Sequence, residues 1–342
     1  MQKPTVCLSW PGKGAPPAPT TASLTVARAG DPRANLVLGD NLDALRALAP
    51  RLAGAVTLAY LDPPFLTGRI HERVTRVRDV ETGKVRRTKS AAFDDRWDGL
   101  DHYLEALAPR MVAVRELLAP HGSVVLHVDS KTSHYAKVLC DEIFGQRAFA
   151  SEIVWRYRRW PSKTPNFQRL HDVLLRYVKD PDVRPRFRQL YEPLAPSTLA
   201  TWGKKKQRAV VDGEGRRTRS SKTEEATPGA PLGDVWDIGI VAPVARERTG
   251  YPTQKPELLL ARLVESLSDP GEVVLDPYVG SGTTAAVCAR LGRHVVGIDS
   301  NPEAIEITRR RLQAGAVEPT EERVTLRPGV HRASRRGPSR AA

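Results

Sequence analysis

The chain has 342 residues, 40% of them hydrophobic, and carries 53 Lys and Arg against 39 Asp and Glu, a formal charge of +14. This places it among ordinary globular proteins, with room for one large α/β domain with insertions or for two domains; the basic balance favours a polyanionic partner, nucleic acid first, and is silent on fold. Cys7, Cys140 and Cys288 are odd in number and lack any C-x-x-C spacing, so neither a disulfide framework nor a metal site is expected and a cytoplasmic setting fits best. No apolar run approaches the roughly 18 residues of a membrane span, and no signal-peptide pattern follows the N-terminal charges.

Residues 1–32 are rich in Pro, Ala, Thr and Gly and are expected to form an irregular arm. From residue 33 the pattern becomes α/β: the short apolar run "NLVLGD", the helical spacing of "NLDALRALAP", then the strand "AVTLAYL" ending at Asp62. Residues 66–96, dense in Arg and Lys, read as a long basic loop. A helix over "GLDHYLEALAPRMVAVRELLAP", a strand over 123–129 and a helix around "SHYAKVLCDEIFG" continue the alternation to residue 155. Residues 156–250 break it with Pro- and charge-rich sequence and read as an insertion. From 251 to 316 the regular pattern returns, with strands 272–276 and 294–299, and 317–342 reads as a basic flexible tail.

Two segments carry chemistry. "VVLDPYVGSGTTAAVCARLGRHVVGID" sets a strand, a glycine turn, a helix and a second strand ending in Asp299 within about thirty residues, the layout of a nucleoside site. Gly280 and Gly282 let backbone approach a ligand, and Asp299 is placed to accept hydrogen bonds from ribose hydroxyls. "GSGTTAA" lacks the third glycine of a dinucleotide fingerprint and the lysine of a triphosphate cradle, so the ligand is expected to carry no pyrophosphate. The bland alternative is a tight turn with an incidental aspartate.

The second segment, "TLAYLDPPFLTGR", ends a strand on Asp62-Pro63-Pro64-Phe65. "DPPF" and "DPYVGSGTT" with "GID" together resemble the catalytic and S-adenosylmethionine motifs of DNA amino-methyltransferases. "LVLGDNLDALRAL", "GSVVLHVDSKTSHYAKVLCDEIFG", "EIVWRY" and "YPTQKP" look like further segments of the beta class, over about residues 35–314. In that permuted class the catalytic motif precedes the cofactor motif and a target-recognition region lies between them. The resemblance implies a Rossmann-like, doubly wound, circularly permuted α/β sheet with an inserted target-recognition region. It assigns residues 33–155 to a catalytic half and 251–316 to a cofactor half.

The resemblance implies S-adenosylmethionine as cofactor and double-stranded DNA as partner. Catalysis would fall to Asp62, Pro63, Pro64 and Phe65, and cofactor contacts to Asp40, Thr253, Lys255, Asp276, Pro277, Tyr278, Gly280, Gly282, Thr283 and Asp299. Tyr278 stands where the family usually has phenylalanine. An exocyclic amine is a poor nucleophile because its lone pair is delocalised into the ring. The Asp62 carboxylate and Pro63 carbonyl can accept its two N–H bonds and aim that lone pair at the sulfonium methyl. Phe65 would stack on a base flipped out of the duplex.

Aspartate at position 62 favours adenine N6 over cytosine N4, by family association. RNA or protein amine methylation and an inactive DNA-binding module are the alternatives, the first disfavoured by motif order and the second by the intact Asp62, Gly280, Gly282 and Asp299. His127 and Asp129 could line the base pocket, though a satisfied structural histidine is the simpler reading. Trp155, Tyr157 and Trp160 alternate with Arg156, Arg158 and Arg159 and could stack on bases or clamp phosphates, with Trp155 expected in the core. Arg86, Arg87 and Lys89 of the basic loop and the lysines of "WGKKKQR" are candidate phosphate contacts. A homodimer and a cognate restriction endonuclease outside this chain stay open as partners.

Overall fold

The computed structural model describes residues 6–11, 13–14, 22–78, 85–161, 163, 165–218 and 221–326, with backbone alone for 74–78 and 85–88. Two units are distinguished: Met1–Phe187 together with Val235–Ala342, and Arg188–Asp234. In the first, strands β1 (Ala22–Arg28) and β2 (Asp31–Leu38) lead into α1 (Asn41–Leu52) and β3 (Val56–Leu61). A hairpin of β4 (Ile70–Arg78) and β5 (Val85–Asp94) precedes α2 (Leu100–Leu117), β6 (Leu118–Asp129), α3 (Ser133–Phe144), β7 (Phe149–Arg156) and β8 (His171–Val178). The smaller unit holds β9 (Tyr191–Glu192), α4 (Pro196–Trp202), β10 (Lys205–Arg208), β11 (Ser221–Ala226) and β12 (Ala230–Pro231). The larger unit resumes with β13 (Val235–Asp237), α5 (Glu257–Leu267), β14 (Val273–Asp276), α6 (Thr283–Arg290), β15 (His294–Asp299), α7 (Pro302–Ala314) and β16 (Pro319–Leu326).

Ten strands form one sheet in the order β1-β16-β2-β15-β14-β3-β6-β8-β7-β13. Its middle, β2-β15-β14-β3-β6, is parallel throughout, and β8 returns antiparallel to both β6 and β7. A parallel strand covered on both faces should be apolar without alternation. β3 obeys this, being buried at every position. Its Ala59 and Leu61 join the core formed with α1, α2 and α3, which pack one against the next, while α5, α6 and α7 pack together as a second group.

The chain leaves β3 through α2 to β6 on one side, and leaves β14 through α6 to β15 on the other. β3 and β14 are neighbours, so the switch in direction lies between them, and ligands of such sheets sit beyond the carboxyl ends at that point. This is a doubly wound α/β sheet in which the strand carrying Asp62 precedes the strand carrying Asp276 in the chain. Adjacent parallel strands end on, or run directly into, Asp40, Asp299, Asp276, Asp62 and Asp129, all at one edge.

Four expectations need correction. The insertion expected over 156–250 is not continuous, since β8 lies between β6 and β7 in the ten-stranded sheet and the smaller unit spans only Arg188–Asp234. The basic loop 66–96 contains an antiparallel hairpin, β4 with β5; its polar, two-sided strands carry no apolar alternation, so pairing and not periodicity makes them. The tail from 317 supplies β16, inserted between β1 and β2, with Glu322 buried against Arg51 and Asn35. The arm 1–32 is not irregular throughout, since β1 pairs with β16 and Leu8 and Trp10 pack on the core. Residues 327–342 lie outside the described residues.

Candidate active site

A cavity of about 850 Å³ opens at the β3/β14 edge, within the range that holds a sizeable small molecule. Its lining includes the catalytic candidates Asp62, Pro63, Pro64 and Phe65 and the cofactor candidates Asp40, Thr253, Lys255, Asp276, Pro277, Tyr278, Gly280, Thr283 and Asp299. Gly282 is absent from that lining and acts beneath it.

The glycine turn is held from below. Gly282 has φ +73°, and a Cβ there would stand 2.6 Å from the Thr308 hydroxyl, so only glycine fits. Gly280, at φ +48°, donates its N–H to Asp299 Oδ2 at 2.9 Å, while Thr308 donates to its carbonyl at 3.2 Å. Asp299 also accepts from Asn301 N at 2.9 Å and from the Ser300 N–H, and its side chain lines the cavity. Asp276 is almost fully buried; burial pushes its carboxyl up to about 7, against the pull of hydrogen bonds from Thr284 and the Tyr278 N–H. It braces the turn from within. Thr283 donates to the Lys255 carbonyl at 3.0 Å, which ties the glycine turn to the "TQKP" segment. Asp40 caps α1 through Leu42 N and Asp43 N, and Arg110 reaches its other oxygen at 3.1 Å. Arg110 also donates to Asn41 Oδ1, and Asn41 in turn donates to the Pro277 carbonyl.

The turn after β3, with the catalytic candidates, is held by side chains. Leu66, directly after Phe65, has a left-handed backbone at φ 59°, a strained state for leucine. The buried Asp95 answers that strain: it accepts Leu66 N at 2.8 Å, Thr67 N at 2.9 Å, the Thr67 hydroxyl at 2.5 Å and Trp97 Nε1 at 3.1 Å. The base of the β4–β5 hairpin continues from this clasp, and Arg73 and Ser90 pair with Glu303 at the start of α7. The hairpin therefore links the catalytic turn to the segment after Asp299.

His127 lies under the turn, fully buried, with Nδ1 2.8 Å from the Tyr60 hydroxyl and Nε2 3.3 Å from Asp172. Its ring packs 5.5 Å from Phe65 and 5.6 Å from Trp155, and its Nδ1 is 3.9 Å from Asp62 Oδ1. Burial raises the Asp172 carboxyl, but hydrogen bonding and charge from His127, with Lys255 and Tyr157, outweigh it and hold the pKa below its ordinary value. His127 is thus a fully partnered support.

Lys255 is placed differently from the other cofactor candidates. Its ammonium pairs with Asp62 Oδ2 and lies 4.9 Å over the Phe65 ring. Asp95, Arg110 and Tyr60 carry no local sequence signal for their roles, since each acts through a partner distant in the chain. Tyr251, whose ring faces Gly280, stands within the quoted "YPTQKP", beside the candidates Thr253 and Lys255.

Outside the cavity, Trp155 and Tyr157 are buried, whereas Trp160 and Phe167 are 92% and 97% exposed. They line a second concavity with Arg158, Arg159 and Arg169, in the connection between β7 and β8. β7 runs parallel to β3 and β6, so this connection begins at the same sheet edge as Asp62. In the smaller unit Lys205 and Lys206 pair with Glu224 and Glu225 across the β10–β11 hairpin. Lys89 pairs with Glu72, and the side chains of Arg86 and Arg87 lie outside the described residues. No helix among the described residues is long and apolar enough to cross a membrane.

Comparison with known proteins agrees with this architecture. The chain is similar to the type II methyltransferase M.HpaI of Haemophilus parainfluenzae, 27% identical over 272 residues that cover 80% of this chain and 73% of the relative. It is also 27% identical over 296 residues to the DNA adenine methyltransferase YhdJ of Escherichia coli (strain K12), covering 86% and 88%. In fold it is similar to the PvuII DNA methyltransferase (cytosine-N4-specific), with a TM-score of 0.50 and 16% identity over 81% of this chain and 86% of that one. Residues 56–310, most of the chain and both turns of the cavity, match the family model described as DNA methylase, and the chain belongs to this N6/N4 DNA methylase family.

Proposed function

We propose that this protein transfers a methyl group from S-adenosylmethionine to the exocyclic amine of a base flipped out of double-stranded DNA, adenine N6 in preference to cytosine N4. One observation carries the reading: the Asp62 turn and the glycine turn leave neighbouring strands and line one cavity. The cavity fits the cofactor in its donor set, since Asp40, Asp276 and Asp299 suit ribose hydroxyls, an adenine amine and cationic groups, and the turn offers backbone without a phosphate-binding lysine. When bound, the cofactor supplies an electrophilic methyl on a sulfonium.

The remaining work falls to side chains of this chain. Asp62 and the Pro63 carbonyl accept the two N–H bonds of the amine, which directs its lone pair out of the ring plane. Proline at 64 restricts the backbone that carries that carbonyl. Phe65, backed by His127, offers a face for the base, and Asp62 takes up the proton that the methylated amine gives away. Trp160, Phe167, Arg158, Arg159 and Arg169 provide an aromatic and cationic surface at the same edge for the duplex. The adenine preference is supported by aspartate at position 62 and by the likeness to an adenine methyltransferase along most of both chains.

Incubation with DNA and labelled S-adenosylmethionine, followed by hydrolysis and mass spectrometry of the bases, tests this reading. N6-methyladenine is expected. N4-methylcytosine would move the target to the second base, and label in RNA alone would overturn DNA as substrate.

A further inference from the structure

We propose that Lys255 serves the base half of the site: its ammonium fills the place of the target amine on Asp62 in the free protein and must be exchanged for that amine when the base enters. This rests on the methyltransferase reading given above. The ammonium makes the two contacts the base requires, a hydrogen-bonded pair with Asp62 and a seat over the Phe65 ring at 4.9 Å. Both side chains of the pair are largely buried, with 10% and 18% of their surface exposed. The main chain of Lys255 is fixed by the Thr283 hydroxyl at its carbonyl and by Pro256 after it. Its flexible four-carbon stem can still withdraw the charge while the backbone stays in place.

The exchange has a consequence for specificity. Removing the ammonium from Asp62 leaves a largely buried carboxylate without a donor, which is costly unless the incoming group donates in its place. An adenine or cytosine amine does so; the carbonyl of thymine would set oxygen against oxygen. Lys255 therefore makes entry to the pocket conditional on an N–H donor. It is a positioning residue that acts through Asp62.

The experiment uses the full-length protein and an unmethylated duplex carrying the sequence in which the wild type methylates its base. Lys255→Met keeps the stem and removes the charge; its KM for DNA is expected to fall about fivefold, seen in KM and not as a rise in kcat, while the Kd for S-adenosylmethionine stays within about threefold of wild type. Lys255→Arg, which keeps a cation, should return KM toward wild type. A Kd for the cofactor raised about tenfold or more by Lys255→Met, or a KM for DNA unchanged or raised, would overturn the exchange. Melting temperatures of Lys255→Met, Asp62→Asn and the double variant give a second test that needs no turnover. The two substitutions should be non-additive, and strict additivity would overturn the pair. Absence of methyl transfer by the wild type sinks the methyltransferase reading and the exchange together, whereas transfer without coupling sinks the exchange alone.

Discussion

The two turns that meet in the cavity are built by opposite means. The glycine turn after β14 is fixed by backbone conformation and by buried groups beneath it, with Gly282 closed against Thr308 and Asp276 bonded to Tyr278 N and Thr284. The turn after β3 owes its shape to side chains from distant parts of the chain: Asp95 under Leu66 and Thr67, His127 behind Phe65, and Lys255 on Asp62. A cofactor that is bound at each turnover by one rigid cradle suits the first construction. The base entry and exit proposed above would suit the second, whose side-chain contacts can be exchanged without unfolding a strand.

Substitutions should separate the two halves. The largest effect is expected from Asp62→Ala, which removes the acceptor for the amine and should lower the single-turnover rate of methyl transfer by about a thousandfold. Asp95→Ala leaves Leu66 N, Thr67 N and the Trp97 indole N–H without their partner and lets the catalytic turn shift. A kcat lower by about a hundredfold is expected, with cofactor affinity little changed. If Asp95→Ala instead weakened cofactor binding and left kcat intact, the clasp would belong to the other half. Gly282→Ala should do the reverse: its strained backbone and the Thr308 contact predict a cofactor Kd raised about tenfold and a melting temperature several degrees lower.

The smallest effect concerns pH. Asp276 has a folded-state pKa of about 7, above its unfolded value, so its proton stays on in the fold after the unfolded chain has lost it. Stability contributed by this group is complete below about pH 4 and is lost as pH rises toward 7. Asp276→Asn should remove that slope, narrowing the drop in melting temperature between pH 5 and about pH 8 relative to wild type. An unchanged slope would show that another group dominates it.

The half expected to hold the cofactor was the more legible in sequence, because its parts are close neighbours in the chain. Strand, glycine turn, helix and acidic strand end lie within one continuous stretch, each specified by its own neighbours. The catalytic tetrapeptide was legible as chemistry, but its supports were not: Asp95 stands 29 residues from Leu66 and Lys255 stands 193 from Asp62, and no local pattern links them. The resemblance led Lys255 to be expected beside the cofactor. What it touches depends on the packing of the segment before α5 against the end of β3, which only the fold displays. The β4–β5 hairpin escaped notice because its sequence carries no apolar alternation, and β16 because its polar residues meet their partners only across the sheet.

The proposed division of labour between the two turns of the cavity can be checked by calorimetric titration of the Asp62→Ala protein with S-adenosylmethionine. A Kd within about threefold of wild type is expected in a protein that no longer transfers methyl groups. Loss of cofactor binding by a folded Asp62→Ala protein would contradict it.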